Sequence, residues 1–214
     1  MVILPVRKSS EIFGNISHIK IIEPTAKNGN INDYQMQCLI SAVQKRSPKK
    51  LFEFGTFDGR TTLNLATFSS DDAVVFTIDL PQEKLGSTTH AVEGDNKQYV
   101  LGRDVKRRFQ YSPCKSKIVQ FWDDSAMFDF DNFYSTNGPM DMVFVDGCHS
   151  KEYCLNDSKK ARRLVCGAKS PIIVWHDYGG CWKGVTEALD YLYENEDGFE
   201  GLVFVKDVQL VVLT

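Results

Sequence analysis

The sequence contains no apolar run approaching the roughly 20 residues that span a bilayer, so no membrane-crossing helix is expected. The opening MVILPVRKSS has only a short apolar stretch, with its basic residues on the wrong side for a secretory signal. None of the six cysteines (Cys38, Cys114, Cys148, Cys154, Cys166, Cys181) has a neighbour at zinc-knuckle spacing. Reduced thiols in a cytoplasmic setting are the expectation. Positive charge is also not in excess: 25 Lys and Arg stand against 28 Asp and Glu, a net charge of -3. Without a global field to hold a phosphate backbone, nucleic acid is not an expected partner. The basic clusters that do occur fall near the ends of expected helices, where cations suit the helix dipole. Repeats and low-complexity segments are missing too.

What is present is ordinary globular material, 43% hydrophobic and 25% charged over 214 residues, enough for one domain with its own core. Short β-branched runs alternate with longer amphipathic ones. After an irregular arm over residues 1–30, INDYQMQCLISAVQKRS reads as a helix, with Asn32 or Asp33 as its cap and Pro48 as its stop. LFEF, AVVFTIDL, SKIVQFW, MDMVFVDG and PIIVWHDY read as strands. Helices are expected from Arg60 to Phe68, over NKQYVLGRDVKRRF, over SKEYCLNDSKKARRLV and over WKGVTEALDYLYENE. LVFV and VQLVVLT, close together near the end, read as an antiparallel hairpin. The expected fold over residues 31–214 is α/β: a doubly wound, Rossmann-like, seven-stranded sheet, mostly parallel, with helices on both faces.

Such sheets bind ligands beyond the C-terminal ends of their strands. EFGTFDGRTT lies at a strand-to-helix turn of this kind. Gly55 allows a positive φ and a close approach of backbone N–H groups, and Gly59 allows helix and strand to come together. Asp79 closes the next strand 20 residues after Gly59, about where an acid meets the ribose hydroxyls of a nucleotide-type cofactor. The turn is nevertheless not a phosphate loop. GTFDG lacks the middle glycine of GxGxxG, and no GK[ST] follows.

The order of Glu53, Gly55 and Gly59, then Asp79, DDS after the third strand and FVDG at the fourth resembles the class I S-adenosylmethionine-dependent methyltransferases. VFVDGCHSKEYCLNDSKKA followed by IIVWHDYGGCWKGVTEAL is similar, more narrowly, to a small-molecule O-methyltransferase branch with macrocin-type and cephalosporin-hydroxylase-like relatives. The resemblance implies Glu53 near the methionine end of S-adenosylmethionine, with Gly55, Thr56 and Gly59 in the turn that faces it. By the same resemblance, Asp79 takes the ribose hydroxyls, and Asp124 and Ser125 contact the adenine.

A second group gathers where FVDGCH and VWHDY leave their strands: Asp146, His149, His176 and Asp177 along one rim. Carboxylates suit Mg2+, and imidazole moves the preference toward transition metals. The resemblance implies that Asp146 and Asp177 hold a divalent ion, that Asp146 also contacts the cofactor and joins His149 in catalysis, and that His149 is a general base. His176 stands where some relatives have Glu and joins the candidate ligands. The implied reaction is methyl transfer to a small hydroxylated molecule by a chain that can self-associate as a homo-oligomer. Two His beside two Asp also fit a metal-dependent, non-haem hydroxylase.

Overall fold

Alternation along the strands builds the two sides of the sheet. In the computed structural model, which describes residues 3–14, 16, 19–92, 94–102 and 106–214, strand β2 (Lys50–Phe54) points Leu51 to one face and Phe52 and Phe54 to the other. The first face packs under α2 (Asp33–Arg46) and α3 (Arg60–Phe68), through Met36, Leu39, Ile40, Leu63 and Leu65. The opposite face packs under α5 (Phe130–Asn137), α6 (Lys151–Leu164) and α7 (Lys183–Asn195), through Phe130, Phe133, Leu164, Leu189 and Leu192. Burial on both faces is why the strands read as near-continuous apolar runs.

The sheet has eight strands rather than seven, ordered β1-β7-β8-β6-β5-β2-β3-β4. The remaining strands are β3 (Val74–Asp79), β4 (Ile118–Trp122), β5 (Met142–Val145), β6 (Ile172–Trp175), β7 (Val203–Val205) and β8 (Leu210–Leu213). The additional one, β1 (Val6–Arg7), lies in the arm and pairs parallel with β7. Two residues are too few to show a period, so the sequence pattern could not disclose it. A short helix, α1 (Ser9–Ile12), follows. Leu4, Phe13 and Ile21 of the arm are buried in the two cores. The hairpin is present as expected, and β8 enters between β7 and β6, antiparallel to both.

Helix α2 starts at a capping box: Asn32 Oδ1 accepts from the Gln35 N–H, and Gln35 Oε1 accepts from the Asn32 N–H, both at 2.9 Å. Two helical readings differ from the sequence expectation. Helix α4 (Asp95–Leu101) stops at Gly102 instead of continuing to Phe109, and residues 103–105 of the expected segment lie outside the described residues. Helix α5 lies in an aromatic and polar stretch with no clear apolar period. Its Asp129 cap accepts from the Asn132 N–H at 2.9 Å. No helix among the described residues is long and apolar enough to cross a membrane.

The chain runs outward from β2 to β3 and β4, then returns to the other side of β2 for β5 and β6. The helix after β2 covers one face and the helix after β5 the other, which opens a crevice between these two strand tips. Ladder bonds continue one residue past the strands: Gly55 N–H to Ile78 O, Asp146 N–H to Phe54 O, His176 N–H to Val145 O and Asp123 N–H to Asp79 O. Gly55, Asp146, His176 and Asp123 therefore stand in one row along the C-terminal edge.

Candidate active site

Beyond this row lies a cavity of about 280 Å3. Gly55, Asp79, Asp124, Ser125, Asp146, His149, His176 and Asp177 all line it. Glu53, Thr56 and Gly59 lie behind the lining. Gly55 has φ +89, and an added Cβ would come within 2.1 Å of the Asp146 carbonyl oxygen. The glycine is thus required by the close approach of the β2 and β5 tips. At Gly59, φ +81 and the Phe109 ring 2.7 Å from a Cβ position set the same demand against a neighbouring loop.

Glu53 has the parity of Leu51, which turns it beneath α3 and leaves it fully buried. Its Oε2 accepts from the Thr62 hydroxyl and, at 2.8 Å, from the Thr77 hydroxyl. With the Thr77 proton so used, the Thr56 hydroxyl donates to Thr77 Oγ1 at 2.7 Å. Glu53 Oε1 has no hydrogen-bond partner among the described residues. Burial pushes the carboxyl up to about 8, the two threonine hydroxyls oppose this, and the nearby Asp146 and Asp79 add to it.

On the β3 and β4 side, Asp79 faces the buried Arg107 guanidinium at 3.5 Å, and that guanidinium lies 4.6 Å from the centre of the Trp122 ring. Asp124 accepts from the Thr89 N–H at 2.8 Å, the Ala126 N–H at 2.9 Å and the Tyr153 hydroxyl at 2.9 Å. Burial works to raise the Asp124 carboxyl, but these donors hold it below the ordinary range. The Ser125 hydroxyl donates to Asp157 Oδ1 at 2.7 Å. Asp157 is buried in α6, which pushes it up to about 6. Tyr153 and Asp157 line the cavity as well, and nothing but helical spacing from the rim marks them in the sequence.

On the β5 and β6 side, Asp177 adopts φ +67, a left-handed conformation uncommon for a residue with a side chain. Its Oδ2 stands 3.0 Å from His149 Nε2 and 3.0 Å from His176 Nδ1. Burial acts to raise the Asp177 carboxyl, and these two imidazoles hold it well below the usual range. Asp146 Oδ1 lies 3.1 Å from the same His176 Nδ1. Burial opposes protonation of His176, but Asp146 and Asp177 overcome this and push it up to about 10. His149 Nδ1 lies 2.8 Å from Asn96 Oδ1, so both of its ring nitrogens face oxygens.

Asp146, His149 and Asp177 each present a ligand atom within 4.8 Å of the other two, a spacing that can hold one metal ion. Of the sequence candidates, this set contains His149 rather than His176. The Trp182 ring stacks on His149 at 4.1 Å, and the Tyr99 ring meets both edge-on. Asn28, Gly29 and Asn30 of the arm complete the wall. They are fastened through Asp58, which accepts from Asn30 Nδ2 at 3.0 Å and Arg108 Nε at 2.8 Å. Arg108 Nη1 also donates to the Glu23 and Thr25 carbonyls.

Residues 52–178 match a protein family described as a methyltransferase domain. No curated protein sequence matches the chain. Among solved structures, the Podospora anserina methyltransferase PaMTH1, bound to SAH, superposes with a TM-score of 0.58 at 14% identity, over 86% of this chain and 79% of that one. The O-methyltransferase TomG from Streptomyces achromogenes, involved in tomaymycin synthesis and in complex with SAM, gives 0.54 at 14% identity, over 100% and 92%. An O-methyltransferase from Bacillus cereus, in complex with SAH, gives 0.53 at 12% identity, over 95% and 89%. At these identities the likeness is one of fold.

Proposed function

The chain belongs to the methyltransferase-domain family matched over residues 52–178, and from that premise we propose that it transfers the methyl group of S-adenosylmethionine to a hydroxyl oxygen of a small molecule, assisted by a divalent ion such as Mg2+. The observation that carries the reading is the convergence on one crevice of two acidic sets, Asp79 with Asp124 and Asp146 with Asp177. The narrower small-molecule O-methyltransferase branch, with macrocin-type relatives, is the assignment that fits the second set.

The lining suits the cofactor. Among the described residues it carries Asp79, Asp123, Asp124, Asp146, Asp157 and Asp177 but no Lys or Arg, a surface matched to a sulfonium cation. Bound S-adenosylmethionine supplies an electrophilic methyl group. Asp79 would accept from the ribose hydroxyls, Ser125 and the loop tied by Asp124 would flank the adenine, and the Gly55 turn would face the methionine half.

The donor set also suits a divalent ion, which Asp146, His149 and Asp177 would hold and which would supply Lewis acidity at the acceptor hydroxyl. We assign His149 to this set rather than to a free base, because both its nitrogens are engaged. The chain's own work is positioning and exclusion of water. Trp182 and Tyr99 would wall the acceptor, and Asp146 would accept the hydrogen bond and then the proton of its hydroxyl, as the new O–C bond replaces the S–C bond of the donor and S-adenosylhomocysteine leaves. A hydroxylase would need two imidazoles open to one iron. The set of side chains within reach of one ion has a single imidazole, that of His149, with His176 outside it, which disfavours that alternative.

Calorimetric titration with S-adenosylhomocysteine tests the reading. Saturable binding at one site per chain is expected, and no heat at millimolar ligand would end it.

A further inference from the structure

His176 Nε2 lies 3.2 Å from Gln35 Oε1, across 141 residues of sequence. Gln35 is buried at the third position of α2. Its amide has only one tenable orientation. Nε2 sits 2.9 Å from the Val208 carbonyl, which can only accept. Oε1 sits 2.9 Å from the Asn32 backbone N–H, which can only donate. Exchanging the two amide atoms would set donor against donor and acceptor against acceptor.

With Oε1 so fixed as an acceptor, the imidazole nitrogen facing it must carry a hydrogen. The other nitrogen, Nδ1, is then the one turned to Asp146 at 3.1 Å and Asp177 at 3.0 Å. We infer that Gln35 is a positioning residue of the reaction centre: it anchors His176 through Nε2–H, so that Nδ1 bridges the carboxylates at the β5 and β6 tips and sets their separation. The helix-capping glutamine thereby has a second role. The start of α2, the turn between β7 and β8, and the acidic rim are joined through one amide. A second sphere that fixes imidazole orientation in this way is a general requirement of sites built on His and carboxylate.

The inference rests on the rim being the centre of the proposed methyl transfer, but its test uses neither cofactor nor acceptor, so it fails separately from that reading. Protein labelled with 15N in its histidines is examined by NMR near neutral pH, with the His176 signals assigned by their loss in His176→Asn. In the unmodified protein a hydrogen-bonded Nε2–H signal is expected from His176. An Nε2 shift typical of a nitrogen without hydrogen would overturn the inference before any Gln35 variant is made.

Gln35→Met, similar in size but without an acceptor, should lose the protected Nε2–H signal. Gln35→Glu, which keeps an oxygen in place, should retain it. Asn32→Ala is the control for simple helix damage: it breaks the same capping box and leaves the Gln35 side chain facing His176. Survival of the signal in Gln35→Met, or its equal loss in Asn32→Ala, would reduce Gln35 to a helix cap and refute the assignment.

Discussion

Glu53→Gln should make the protein more stable as pH rises, relative to the unmodified chain. The buried Glu53 carboxyl is pushed from 4.5 up to about 8. Between these values the folded protein retains a proton that the unfolded chain has released. Stability present at low pH is therefore lost as pH rises through the folded value, the reverse of a salt-bridged carboxylate. Each unit contributes about 1.4 kcal/mol, and the interval from about pH 5 to about pH 8 spans about three units, so the loss comes to about 4 kcal/mol. Gln keeps an oxygen to accept from Thr62 and Thr77 and places a neutral amide group where Oε1 has no partner among the described residues. Urea denaturation of both proteins across this range gives the difference directly, and other titrating groups cancel in the comparison. Near pH 5 the two should be similar, and near pH 8 the Gln variant should lead by several kcal/mol. A difference constant to within about 1 kcal/mol across the range would refute the reasoning.

Asp79→Ala should weaken S-adenosylhomocysteine binding tenfold or more, about 1.4 kcal/mol; unchanged affinity in calorimetry would remove Asp79 from the cofactor site. Gly55→Ala drives a methyl group to within 2.1 Å of the Asp146 carbonyl and should cost about 3 kcal/mol or prevent folding, read by thermal denaturation; a melting temperature like that of the unmodified protein would contradict the close approach. Asp58→Ala leaves Arg108 without its carboxylate and should cost about 3 kcal/mol. Limited proteolysis should then cut faster within residues 23–31, and an unchanged digestion pattern would show that Asp58 does not fasten the arm.

The strands that build the sheet core were legible because each is buried on both faces and bounded by turn residues. The acids of the site were legible because they stand where those strands end. Strand β1 was not, since its two residues carry no period and take their place from β7. Helix α5 was missed because its apolar residues, Phe130 and Phe133, lie among Asp, Asn and Ser that read equally well as a loop. In the site, Asn96, Tyr153, Asp157 and Trp182 come from helices or a loop whose approach to the rim is decided by tertiary packing. Gln35 shows the limit most plainly. Its spacing from Asn32 signals a cap, but contact with His176 depends on how α2 lies across the sheet. The candidate ligand set differs from the expected Asp146, His176 and Asp177 for a similar reason: His149 turns toward Asp177 through Asn96 and Trp182, neither of which is near it in sequence.

The crevice between the tips of β2 and β5 divides the lining into two stretches of chain. Gly55, Asp79, Asp124 and Ser125 come from the first, and Asp146, His149, Asp177 and Trp182 from the second. They abut where Gly55 meets the Asp146 carbonyl. Under the proposed function, the earlier stretch would hold the methyl donor and the later one, with Tyr99, would meet the acceptor. Replacements in the later stretch could then try new acceptors while the donor is kept, and the seam at Gly55 is the position at which neither half can vary alone.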